Sequence, residues 1–156
     1  MTAWHTPAPA NVHGTAVVLG DRGILITGPS GSGKSTLALA LIERFSRQGR
    51  FARLVADDQL FVNDKAGRLV CHAPPPISGL VEVRGLGPRA LRVETAAVID
   101  LVARLVPEDR LMRVQEEASE VIAGCAIQRI DLPARNVISA CGMLICWLKM
   151  PPFDAV

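Results

Sequence analysis

The octet Gly28-Pro29-Ser30-Gly31-Ser32-Gly33-Lys34-Ser35 constrains this chain more tightly than any other stretch of it. It matches G-x-x-x-x-G-K-[ST], a motif that needs a strand before it and a helix after it. Upstream, Ile24-Leu25-Ile26-Thr27 is a short apolar run. Downstream, Leu37, Ala38, Leu41, Ile42 and Phe45 recur at helical spacing between Lys34 and Gln48, with Gly49 as the stop. Glycines in such a loop let backbone N–H groups converge on phosphate oxygens without Cβ obstruction, and the helix N-terminus adds the positive end of its dipole. Lys34 neutralises the outer phosphates in this reading, and the Ser35 hydroxyl contacts Mg²⁺. The residues expected to bind a nucleotide are therefore Gly28, Pro29, Ser30, Gly31, Ser32, Gly33, Lys34, Ser35 and Thr36. A chance match in a flexible loop is the competing reading, and the flanking strand, helix and downstream carboxylates argue against it.

Around this unit the sequence predicts a β-rich periphery. Thr15–Leu19 and Ile24–Thr27 flank Gly20-Asp21-Arg22-Gly23 as a hairpin, and Leu60–Val62 and Leu69–Cys71 flank Asn63–Gly67 as a second. Arg53–Ala56 reads as a short strand ending at Asp57-Asp58. A metal shell at a strand end needs one carboxylate, which leaves the other free as a base, although an N-cap or turn role explains either aspartate as well. Pro74-Pro75-Pro76 forbids regular structure. Leu80 to Pro88 reads as a strand running into a Gly/Pro loop, with Glu82 and Arg84 on one face. Ala96–Leu105 lacks clean periodicity and is open between helix and strand, and Pro107–Gly124 reads as a solvated loop or helix face. Ile127–Leu132 is a late strand and Asn136–Met150 a late apolar helix. The expected fold is α/β, a P-loop nucleotide-binding core with a β-hairpin periphery, in a single domain over 1–156 with 1–11 irregular.

Composition narrows the function. A hydrophobic fraction of 49% excludes a disordered chain, and a net charge of +2 is too small for a nonspecific nucleic-acid binder. Met1–Asn11 lacks the cationic start and apolar core of a signal peptide, and the apolar run Val137–Leu148 is too short to cross a bilayer, so a cytoplasmic protein without membrane or nucleic-acid partners is expected. Cys71, Cys125, Cys141 and Cys146 form no CxxC pair and read as reduced, mostly buried thiols.

Four ordered segments together resemble the catalytic domain of HPr kinase/phosphorylase, a bacterial enzyme that phosphorylates a serine of the phosphocarrier HPr. They are His13-Gly14 before the hairpin, the P-loop, Leu54-Val55-Ala56-Asp57-Asp58, and Glu82-Val83-Arg84-Gly85-Leu86-Gly87. The resemblance runs from about Val12 to the C-terminus, more loosely between Ala90 and Gln128. It implies ATP and Mg²⁺ as cofactors, metal contacts from Ser35 and Glu82, to which the strand-end reading adds Asp57, and Asp58 as the base assisted by His13, which from the residues alone is a structural histidine. It also implies a mobile-segment arginine at Arg113, with Arg110 as the competing position and a surface arginine as the alternative. Pro133-Ala134-Arg135-Asn136 resembles a loop tied to dephosphorylation, in a shorter form. Common members carry a further N-terminal domain with no counterpart here, and short forms serve regulatory phosphotransferase systems. The implied partner is HPr or an HPr-like phosphocarrier, and the implied assembly a homo-oligomer, a hexamer in the family.

Two other functions fit parts of the sequence. A P-loop small-molecule kinase would use Asp58 on a substrate hydroxyl and Arg104–Arg113 as an arginine-bearing lid. A non-catalytic ATP-sensing module would keep the loop but has no use for a base beside it.

Overall fold

A computed structural model describes residues 8–75 and 78–155. Its elements run β1 (Ala10–His13), β2 (Thr15–Leu19), β3 (Arg22–Thr27), α1 (Lys34–Arg47), β4 (Ala52–Ala56), β5 (Gln59–Lys65), β6 (Arg68–His72), β7 (Leu80–Val83), β8 (Gly87–Ala90), β9 (Ala97–Val98), β10 (Leu101–Val106), β11 (Ala118–Ile122), β12 (Cys125–Pro133) and α2 (Val137–Trp147). Pro76 and residues 1–7 fall outside the described residues.

Three layers follow from the side-chain alternation of one strand. In β3, Ile24 and Ile26 join the cluster that holds Leu37, Leu41 and Phe45 of α1 and Leu144 and Ile145 of α2. Leu25, between them, points to the other face and packs with Leu60, Val62, Leu69 and Cys71 of a second sheet. A strand covered on both faces reads as an unbroken apolar run, which is what Ile24-Leu25-Ile26 is. The central sheet has the order β11-β12-β10-β3-β2-β4, with β12, β10 and β3 parallel, β2 antiparallel to β3 and β4 antiparallel to β2. The second sheet has the order β1-β5-β6-β9, and β7 and β8 form a separate hairpin.

Four sequence expectations are corrected. Residues Ala10 and Asn11 are not irregular, because β1 begins at Ala10 and pairs with Val62 of β5. Ala96–Leu105 contains two strands rather than one element, and β10 shows no period because Leu101, Val102, Ala103 and Leu105 are buried on both faces. The polar stretch from Pro107 opens with a 3-10 turn, Glu108–Arg110, and ends in the edge strand β11, which carries a single charge, Glu120. The strand from Leu80 runs into a turn after Val83 as expected, but Gly87 and Pro88 belong to a returning strand, β8, rather than to a loop, and Glu82 and Arg84 form no ion pair among the described residues. The four cysteines are free, with Cys146 exposed and the others buried. Burial pushes the Cys71 thiol up to about 12.

β9 and β10 are locked to β3 at Gly23. Its carbonyl accepts from Asp100 N at 2.8 Å, and its N–H donates to Asp100 Oδ2 at 2.9 Å. A Cβ at Gly23 would lie 1.8 Å from the Val98 carbonyl oxygen, so only glycine permits this approach.

Candidate active site

The sheet directions gather the chemistry at one edge. β3, β10, β12 and β4 all end there, and β2, running the other way, begins there. The chain leaves β3 as the P-loop, β4 as Asp57-Asp58 and β12 as Pro133–Asn136 before α2, while His13 and Thr15 flank the turn from β1 into β2. Ligands of open α/β sheets bind outside the carboxyl ends of the strands for this reason.

Gly33 is the N-cap of α1 in the left-handed conformation, at φ 96°, and offers no side chain to cap the first turn. The first turn also lacks an acidic residue, so its N–H groups stay free for an anion. At Gly28 an added Cβ would lie 2.8 Å from Ser32 Oγ and 3.1 Å from Leu105 Cβ, which fixes glycine where the loop leaves β3. Lys34 is buried, and its Nζ donates to the carbonyls of Gly28 at 2.9 Å and Pro29 at 3.1 Å. Burial lowers its pKa, and the charges of Asp58 and then Asp57 work against that shift. The uncapped helix start and the buried ammonium are the donor set a nucleotide triphosphate requires.

The two aspartates face different ways. Asp57 is buried, and its Oδ1 accepts from the Ser35 hydroxyl at 2.6 Å and the Thr15 hydroxyl at 2.9 Å. Its Oδ2 accepts from the Glu82 backbone N–H at 3.2 Å. Asp58 sits in the left-handed region at φ 70°, and its side chain, 70% exposed, is 2.8 Å from His13 Nε2. Its carbonyl accepts from Gly14 N at 2.9 Å, which holds the turn against the β1–β2 junction. The Ser35–Asp57 pair offers two hard oxygen donors. Among the described residues no cluster of three or more His, Cys, Asp or Glu side chains forms a metal cage. That donor set fits Mg²⁺, which keeps waters and takes phosphate oxygens rather than an all-protein shell.

Not every expected residue joins this group. Glu82 reaches Asp57 through its backbone, and its side chain is exposed. Arg113 is exposed and lines a different cavity, of about 680 Å³, with Glu108, Met112, Asn136 and Met143. Arg110 closes the 3-10 turn. Arg104, the first arginine of the possible lid, is committed to Asp131 in a bidentate pair, 2.8 Å on both arms. Arg135 meets the P-loop directly: its N–H donates to Ser32 O and its Nε to Gly31 O, each at 3.0 Å. Thr15 and Arg84 are the residues that sequence reasoning missed. Thr15 was signalled only by a hydroxyl at the head of an apolar strand, and Arg84, placed in the sequence only on one strand face with Glu82, lines the P-loop cavity.

An α/β core, a phosphate loop opening a helix and a paired carboxylate outside that loop define a P-loop protein equipped to bind a nucleotide and act beside its outer phosphate. The chain belongs to the HPr Serine kinase C-terminal domain family, whose profile matches residues 6–140. A protein of Clostridium tetani named HPr kinase/phosphorylase is 33% identical over 135 residues, covering 80% of this chain and 42% of that protein. One of the same name from Lacticaseibacillus casei is 44% identical over 78 residues, covering 49% of this chain and 23% of that protein. The fold is similar to the solved structure of the Hpr(Ser) kinase/phosphatase from Coxiella burnetii, with a TM-score of 0.75 at 25% identity, covering 90% of this chain and 96% of that one. Among the described residues no helix is long and apolar enough to cross a membrane.

Proposed function

We propose that this domain transfers the γ-phosphoryl group of ATP to a serine of HPr or an HPr-like phosphocarrier protein. The observation that carries the reading is the exposed Asp58 carboxylate, held by His13 at 2.8 Å beside a separate, buried Asp57–Ser35 pair. In the forward reaction the serine oxygen bonds to the γ-phosphorus as the bond to the β-phosphate bridging oxygen breaks, and Asp58 takes the hydroxyl proton. His13 orients Asp58, and Lys34 places positive charge against the phosphate chain. Mg²⁺, held by Ser35 and Asp57, would screen charge on the transferring group. Phosphorolysis runs the proton the other way: inorganic phosphate takes the phosphoryl group as pyrophosphate, and Asp58 returns a proton to the serine oxygen. The resemblance of Pro133–Asn136 to a family loop supports that second activity, and the contact of Arg135 with Gly31 agrees with it.

Family membership supports action in the cytoplasm, within a phosphotransferase system, by a homo-oligomer such as a hexamer. The role of Arg113 on the transferring group would then belong to a rearranged segment or to a neighbouring subunit. A small-molecule kinase is disfavoured because Arg104 is already paired, and an ATP sensor because it has no use for Asp58. Incubation with labelled ATP and a purified HPr-like carrier tests the reading. Label on a carrier serine is expected, and ATP binding without transfer to any carrier would favour the sensor.

A further inference from the structure

The β7–β8 hairpin carries a cation to the mouth of the phosphate loop. β7 is pinned from two sides. Val81 is buried in the cluster shared with the helices, and the Glu82 N–H donates to Asp57 Oδ2. Immediately beyond, Leu86 N donates to the Val83 carbonyl at 2.9 Å, and Gly85 takes φ 87°, so the turn that follows β7 is fixed and Arg84 sits within it. Arg84 then lines a cavity of about 550 Å³ with Gly31, Gly33, Thr36, Arg135 and Val137. No acidic side chain is in that wall, and neither arginine is in an ion pair among the described residues. Arg22, Arg47, Arg104 and Arg129, by contrast, each have a carboxylate within 4.0 Å. Two uncompensated guanidinium groups therefore flank the uncapped start of α1, and their planar forks suit phosphoryl oxygens.

We propose that Arg84 and Arg135 form an anion clamp across the outer side of the P-loop, with Arg84 as a phosphate-binding residue. Its ligand is a phosphoryl group, either of the nucleotide's own phosphate chain or of a second phosphate species held beside it. The proposal rests on the nucleotide-binding reading of the loop and adds a contact from a different element. It also accounts for the E-x-R spacing of the hairpin: the residue whose backbone docks on Asp57 delivers the arginine two positions later. Because the Arg84 side chain is exposed, its removal leaves the fold intact.

Calorimetric titration of the intact protein with ATP, and with inorganic phosphate at saturating ATP, tests the clamp. Wild type is compared with Arg84→Gln, Lys34→Ala and Arg89→Gln; Arg89 lies on the same hairpin but outside the cavity. The clamp predicts an unchanged Tm without ligand for Arg84→Gln, together with one of two losses. ATP affinity about tenfold weaker identifies the nucleotide's phosphate chain. Loss of phosphate binding with ATP affinity kept identifies a second species. Arg89→Gln should match wild type in both titrations. Wild-type binding of both ligands by Arg84→Gln, with ATP binding lost in Lys34→Ala, would overturn the clamp and leave the P-loop reading standing. Retention of ATP by Lys34→Ala as well would overturn both.

Discussion

The ammonium of Lys34 donates to two carbonyls of its own loop, those of Gly28 and Pro29, so the cation that the proposed binding of ATP calls on is already held within the loop. Lys34→Ala should lower ATP affinity at least about tenfold, because charge-assisted contacts to phosphate are the strong ones. Equilibrium binding measures this directly, and wild-type affinity would contradict the role. Ser32 behaves in the opposite way. Its hydroxyl is buried beside Gly28 and has no hydrogen-bond partner among the described residues. Ser32→Ala should therefore raise stability by about 1 kcal/mol, the desolvation cost of an unpaired hydroxyl, with ATP affinity unchanged. A fall in affinity would mean that the hydroxyl contacts the ligand. At this scale the loop and both aspartates were legible, because glycine spacing and paired carboxylates carry their own chemical signature. Thr15 was not, since nothing local reveals that β2 brings a hydroxyl within 2.9 Å of a carboxylate 42 residues away.

Secondary elements hold these residues through a few close approaches. At Gly23 the absent Cβ admits the Val98 carbonyl, and Asp100 bonds both backbone groups of the glycine. Gly23→Ala should cost about 2–3 kcal/mol through forced displacement of β9. For a chain of this size that lowers Tm by roughly 5–10 °C, and a thermal melt at the wild-type midpoint would refute the packing account. α2 is capped by Asn136, whose Oδ1 accepts from Ser139 N while its Nδ2 donates to Glu108 at 2.6 Å. One side chain thus joins the 3-10 turn after β10 to the helix after β12. The two hairpins and α1 were readable because amphipathic period and turn residues are local signals. β10 was not, because a strand buried on both faces has no period, and β11 was hidden because its five residues follow the charged Glu116-Glu117 and include Glu120, so the run merges with the polar stretch before it.

At the scale of the whole molecule, one sheet with its strands ending at a common edge separates the helical layer from the four-stranded layer. The hydroxyls of Ser35 and Thr15 meet Asp57 where that edge is buried, and Asp58 with His13 stands where it opens to solvent. A buried half thus adjoins an open half, the arrangement that the proposed transfer to a protein substrate requires. Motif order made the family legible, and the proposed division of labour between Asp57 and Asp58 needed coordinates, because two adjacent aspartates are equivalent until the backbone turns one of them to φ 70°. The most direct test of that division is phosphoserine formation on an HPr-like carrier by Asp58→Asn, with ATP binding measured in parallel. The substitution keeps size and hydrogen bonding but removes the proton acceptor. ATP should bind as in wild type while transfer falls about 10²–10⁴-fold, and added magnesium should not restore it. Transfer by Asp58→Asn at near the wild-type rate would contradict the assignment of Asp58 as the base.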